Sequence, residues 1–366
     1  MGASVSAAAV REDLHSAIEN RLRRIIAARI SAAESYGEPY AMLWRMAESH
    51  VLGGKLLRPR LLVEMRDALD TTGRTSEDRA VVIELAAAVE ILHYAFLLHD
   101  DVIDGDAHRR GARNLIGAAR DAHPLGGGRS TDAGHWARSG AILMGDLLLS
   151  AVHQVFARAD VAHPARRRLL DLLDHTITET VAGELADVAL SDGVVMPDLR
   201  TILAMTAHKT ATYTIEFPLR TAAILAGCAA STEESLTTVG RRLGVAFQLQ
   251  DDLLSVFGDP GTHGKDAYSD LREGKETALI AYARMTTAWT TIEPRFGQED
   301  LTRDEAGEMA ERLRSCGAEA YVRNLIQDEL SVACASIEAA EAAGSIPPEA
   351  AAVLLALVRR IDGRRS

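Results

Sequence analysis

Residues 79–104 constrain the fold most strongly: the stretch is apolar on nearly every side at helical spacing and ends in Asp100-Asp101-Val102-Ile103-Asp104. A helix that is apolar all round belongs inside a larger helical assembly. The rest of the chain keeps the same period. Leu14, Ile18, Leu22, Ile25 and Ile26 share one face of a helix over 11–35. Further helices are expected over 138–160, 165–190, 197–228, 232–256 and 275–290. Thr302 with Glu305 is a capping box that opens another. Pro347-Pro348 precede a last one along Ala350 to Val358. Alanine is abundant, aromatics make up only 4%, and no alternating strand pattern of useful length occurs. The expected fold is therefore all-α. Residues 105–137, with Pro124 and Gly126-Gly127-Gly128, are expected to form a long surface loop. The glycine run and Arg129-Ser130 lack the lysine and spacing of a phosphate loop, and no strand precedes them.

Composition excludes several functions. Lys+Arg 40 against Asp+Glu 52 gives a net charge of −12 without a basic stripe, which disfavours nucleic-acid binding. Cys228, Cys316 and Cys334 have no CxxC spacing and leave an odd count, so neither a disulfide framework nor a zinc site is expected. A reducing cytoplasm follows as the simplest location. Met1 to Ser6 lack a basic n-region and a long apolar segment, so no signal peptide is expected. The best apolar run, Ala80 to Leu98, is broken by Glu84, Glu90 and His93, as in a buried helix of a protein without stable membrane insertion.

Two acidic clusters carry the chemistry. Asp100 and Asp104 share one helical face, where like charges oppose each other unless a cation joins them. The second cluster, Gln248-Leu249-Gln250-Asp251-Asp252, also lies among apolar residues. Carboxylates at the apolar end of a core helix need cationic compensation. Hard oxygen ligands, one or two per ion, suit Mg²⁺ completed by substrate phosphates. A diphosphate-handling enzyme follows as the first hypothesis, and a shared site requires that both clusters belong to one domain. The cations have two readings each. Gly53-Gly54-Lys55-Leu56-Leu57-Arg58-Pro59 places Lys and Arg three apart on one helical face, which either grips an anion or forms a solvated helix start. Lys209, within His208-Lys209-Thr210, either snorkels to water or reaches a phosphate. Lys265 and Lys275, bracketing a glycine-punctuated loop, read singly as surface lysines. His99 reads as a satisfied core histidine, whereas His93, two turns before Asp100, is placed to touch a substrate anion.

In order, these segments are Gly53-Gly54-Lys55-x-x-Arg58-Pro59, Asp100-Asp101-x-x-Asp104 with Arg109-Arg110, Lys209-Thr210, Gln248-x-x-Asp251-Asp252, Gly264-Lys265 and Glu273-Gly274-Lys275. The set resembles the trans-isoprenyl diphosphate synthases over about residues 50–290. The resemblance implies a single domain over 1–366, an all-helical bundle around a central cavity, and a homodimer. It implies a Mg²⁺-dependent head-to-tail (1′-4) condensation of isopentenyl diphosphate with an allylic diphosphate, giving a linear all-trans product. It places two Mg²⁺ ions at Asp100 and Asp104 and a third at Asp251, with Asp101 and Asp252 behind them. Arg109, Lys209, Thr210, Gln248, Lys265 and Lys275 are implied for the allylic diphosphate or its cation, and Lys55, Arg58, His93 and Arg110 for isopentenyl diphosphate. Asp100, Asp104, Asp251 and Lys209 would bear most directly on the reacting bond.

One position departs from the family pattern: Ser255 stands where the second motif often has Asp, with Asp259 four residues later. Product length is read from the helix before Asp100, which in the family forms the tunnel floor. Ala95 is small and leaves the tunnel open, while Phe96 and Tyr94 oppose that reading. Geranylgeranyl diphosphate is the expected product, followed by farnesyl and longer chains. A class I terpene cyclase is the main rival, but it would have no use for an isopentenyl diphosphate site at Lys55, Arg58 and His93. A regulatory subunit of a heteromeric synthase would be expected to lose one or both Asp clusters, and this chain keeps both.

Overall fold

The computed structural model describes residues 7–70, 76–109, 111–122, 130–258, 268–298 and 300–363. Apart from a hairpin of two residues per strand, every regular element among them is helical. The chain divides into two compact units, residues 1–171 with 224–227, and residues 172–223 with 228–366.

The first unit contains α1 (Ala7–Ala33), α2 (Glu38–Val51), α3 (Leu57–Leu69), α4 (Ser76–Ile103), α5 (Leu115–Asp121) and α6 (Ser130–Arg158). α4 packs against α1, α3 and α6, as its all-round apolar surface requires. Leu85, Ala86, Ala88, Ile91, Leu92 and Leu98 are essentially inaccessible to solvent. Two helical stretches, Arg79–Ile103 and Ala133–Arg158, are long and apolar enough to cross a bilayer. In the first, 72% of the most apolar window is covered by the protein itself.

The expected loop over 105–137 is corrected in part. Strands His108–Arg109 and Ala112–Arg113 pair antiparallel around Gly111, whose φ of 75° suits a tight turn. α5 follows, because Asn114 caps it by accepting from the Gly117 amide and because Leu115, Ile116 and Ala119 are buried. Residues 123–129, including the glycine run, lie outside the described residues.

The second unit holds most of α7 (His163–Ser191), then α8 (Leu199–Thr206), a π-helical segment (Ala207–Glu216), the start of α9 (Phe217–Ala226), and α10 (Ala230–Phe257). It continues through α11 (Ser269–Glu273), α12 (Ala278–Arg284), α13 (Trp289–Ile292), α14 (Arg303–Ser315), α15 (Ala318–Ala342) and α16 (Pro348–Asp362). α10 is its hub and packs on α15, α16 and the π segment. The capping box holds: the Thr302 hydroxyl and amide donate to Glu305 and keep its carboxyl down at about 2. The single helix expected over 197–228 is instead three consecutive pieces.

The middle piece is the least ordinary. π geometry is rare and widens the helix. Glycines let its neighbours come close. A Cβ on Gly183 of α7 would lie 2.2 Å from the Lys209 amide nitrogen, and one on Gly244 of α10 would lie 2.4 Å from Ala211 Cβ. Gly244→Ala must push α10 off the π segment, and a loss of about 1–3 kcal/mol is expected in urea unfolding. An unchanged midpoint would show that this contact yields freely.

Candidate active site

The first acidic cluster closes the C-terminal end of α4. Asp101 is 2% exposed, Asp100 is half-buried and Asp104 faces solvent. The hairpin carries Arg109 back to them. Its Nε donates to Asp101 Oδ1 at 3.0 Å and its Nη2 to Asp100 Oδ2 at 3.2 Å. Asn114 fixes this return, since its Nδ2 donates to the Asp106 carbonyl at 2.9 Å. Burial pushes the Asp101 carboxyl up from 3.8 to about 6, with the Arg109 charge and hydrogen bond opposing it. Burial also works against the Arg109 cation, but Asp101 and Asp100 outweigh it and raise its pKa. The Tyr94 hydroxyl, buried without a hydrogen-bond partner, is raised by burial and then by the Asp101 charge.

The glycine-rich basic segment lies in the same unit, and here the structure corrects a placement. Lys55 and Arg58 do not share a helical face, because α3 begins only at Leu57. Leu56 has a left-handed backbone, φ 48°, which stops the helix from extending back over Lys55. Lys55 is exposed in the loop, and Arg58 is in the first turn of α3. The loop approaches α4 at Gly54, where a Cβ would lie 3.3 Å from Glu90 Oε1. Glu90 and, one turn on, His93 are both 8% exposed. His99 is not a satisfied core residue: its side chain is 28% exposed, packs over Gly145 and sits 3.4 Å from Asp146. Arg110 lies outside the described residues.

In the second unit α10 presents Gln248, Asp251, Asp252 and Ser255 on successive turns. Gln248 Nε2 donates to Asp252 Oδ1 at 2.8 Å, so Gln248 and Asp252 hold each other while Asp251 is half-buried. Ser255 is buried, donates to the Asp252 carbonyl at 3.0 Å, and bonds to Asp270 of α11. The carboxylate lacking at Ser255 is thus supplied next to it from α11, a pairing of distant residues that local spacing does not disclose. Asp259 and Lys265 lie outside the described residues. Lys275 follows Gly274, whose φ is 72°, and its amide donates to the Asp270 carbonyl at 2.9 Å.

Lys209 and Thr210 lie in the π segment, both half-buried. Lys209 Nζ lies 2.6 Å from Asp187 Oδ2 and 3.0 Å from Glu184 Oε2, both on α7. The sequence reading passed over these two carboxylates. Their spacing of three on one helical face, directly after Gly183, was the available signal.

The donor set suits a hard divalent ion. It consists of carboxylate oxygens, and Asp100 and Asp104 lie one turn apart. Among the described residues no three His, Cys, Asp or Glu side chains form a closed metal cage.

Asp101 holds its proton more tightly in the folded chain than in the unfolded one. Its contribution to stability is therefore greatest below pH 4 and falls as pH rises through 6. In metal-free buffer, raising the pH across that window should destabilise the native chain relative to Asp101→Asn by roughly 2–3 kcal/mol. Parallel pH profiles for the two proteins would contradict burial as the controlling influence.

Comparison with known proteins agrees with this chemistry. A family model described as polyprenyl synthetase matches residues 41–312. The (2E,6E)-farnesyl diphosphate synthase of Mycobacterium tuberculosis is 32% identical over 272 residues, 72% of this chain and 67% of its own. The geranylgeranyl diphosphate synthase of Methanosarcina mazei is 30% identical, over 75% of this chain and 76% of its own. A solved geranylgeranyl pyrophosphate synthase from Corynebacterium glutamicum, complexed with isoprenyl diphosphate and magnesium, superposes with a TM-score of 0.87 at 30% identity. That match covers 96% of this chain and 99% of the solved one.

Proposed function

This chain belongs to the polyprenyl synthetase family, a family of trans-prenyltransferases, and we propose that it condenses isopentenyl diphosphate with an allylic diphosphate to give geranylgeranyl diphosphate. The observation that carries the reading is the buried Asp101–Arg109 pair at the end of α4, beside Asp100 and Asp104. The family match runs through both units, which supports reading residues 1–366 as one catalytic domain.

In this reading Asp100, Asp104 and Asp251 hold the metal ions, with Asp101 and Asp252 supporting them. Bound Mg²⁺ stabilises the charge that develops on the departing diphosphate. Arg109, Lys209, Thr210, Gln248, Lys265 and Lys275 orient the allylic diphosphate. Lys55, Arg58, His93 and Arg110 hold isopentenyl diphosphate, replacing a bimolecular encounter by a fixed approach. The apolar residues before each Asp motif exclude water from the allylic cation. The departing diphosphate takes the final proton, so no protein base is needed.

The enzyme is proposed to be a cytoplasmic homodimer. Cys228, Cys316 and Cys334 lack CxxC spacing, which fits a reducing compartment. Ile142 and Leu143 on α6, and Val181 and Leu185 on α7, are exposed apolar side chains that a second copy would cover.

Product analysis tests the activity. With Mg²⁺, labelled isopentenyl diphosphate and dimethylallyl, geranyl or farnesyl diphosphate, a linear C20 diphosphate is expected, and chelation by EDTA should abolish it. A cyclic hydrocarbon formed without isopentenyl diphosphate would indicate a cyclase instead. Ala95 is fully buried whereas Phe96 is half-exposed. Ala95→Phe, with Ala95→Val as the milder change, should shorten the product. An unaltered product distribution would remove this face of α4 from the control of chain length.

A further inference from the structure

We propose that Glu184 and Asp187 are positioning residues that present Lys209 to the allylic diphosphate. This rests on the role proposed for Lys209 above. A lysine is a point charge on a flexible stem, so by itself it has no fixed direction. Here the stem leaves a π-helical segment and the side chain is only 15% exposed. Two carboxylates on adjacent turns of α7 hold it, Asp187 at 2.6 Å and Glu184 at 3.0 Å, with side chains 7% and 19% exposed.

The backbone makes this grip possible. Gly183 immediately precedes Glu184, and a Cβ there would lie 2.2 Å from the Lys209 amide nitrogen and 2.6 Å from its Cα. α7 therefore touches the π segment at the very residue whose side chain it holds. Asp187 carries a further cost, since its Oδ1 is buried without a hydrogen-bond partner. A buried acid of this kind adds little to packing. Its contact with Lys209 gives it a purpose.

The arrangement carries two negative charges and one positive, so it does not attract an anion on its own. It serves to keep Lys209 aimed. The second substrate, isopentenyl diphosphate, is assigned to other residues, so the effect of losing the grip is specific to one substrate.

The test is steady-state kinetics on the full-length enzyme with Mg²⁺, varying each substrate separately. Glu184→Ala and Asp187→Ala should raise KM for the allylic diphosphate about tenfold or more while leaving KM for isopentenyl diphosphate unchanged. Glu184→Gln retains an acceptor oxygen for the ammonium and should restore allylic KM to near the native value. Adding Glu184→Ala to Lys209→Ala should produce no further rise, because the carboxylate acts through the lysine. Equal changes in both KM values, no rescue by glutamine, or additive effects with Lys209→Ala would each overturn the proposal. If Lys209→Ala itself leaves allylic KM unchanged, the role of Lys209 falls and the proposal falls with it. That outcome differs from one in which only the carboxylate variants are silent.

Discussion

The hydrogen-bonded ion pair of Arg109 with Asp101 underlies the organisation of the first acidic cluster. Asp101 is almost wholly buried at the end of a helix that is apolar on nearly every side. A carboxylate there is tolerable only beside a cation. The hairpin, Gly111, and the Asn114 bridge to Asp106 all serve to return one arginine to that point. Asp100, which also accepts from Arg109, and Asp104 lie nearer to solvent than Asp101.

The second unit meets the same requirement differently. Near the C-terminal end of α10 two buried acids are held by neutral donors: Gln248 holds Asp252, and Ser255 bridges to Asp270. Lys209, by contrast, is a cation surrounded by acids. Asp251, on the same turn as Asp252, is half-buried. Glycine contributes by subtraction. Gly183 and Gly244 lie where a side chain would separate α7 or α10 from the π segment. Overpacking at such contacts shifts backbone rather than side chains, so the geometry of Lys209 depends on residues that carry no functional group.

Several features were legible in the residue order. Helical periodicity located α1, α4, α7 and α10 to within a few residues, whereas α6 begins eight residues before its expected start at 138. The capping box at Thr302 was readable because its partners are three residues apart. Both Asp motifs and the lysine that follows them were visible for the same reason: residues that act together on one helix recur at fixed spacing. Where the reading missed, the cause was local. The stretch after Asp104 looked like a loop because its helix, α5, is short and depends on an asparagine cap and burial. Lys55 was placed on a helix face because the left-handed turn at Leu56 has no signature in a non-glycine residue.

The order of residues alone established the helical class, the acidic chemistry, and which types of side chain are available for a diphosphate. Periodicity and charge act over three or four neighbours and can be read directly. Folding decided the partnerships: Arg109 with Asp101, Ser255 with Asp270, and Lys209 with Glu184 and Asp187. In the last two, 15 residues separate Ser255 from Asp270, and 22 and 25 separate Lys209 from its two acids. The close approach of Gly183 and Gly244 to the π segment around Lys209 is likewise a property of the fold, because it joins residues far apart in the chain.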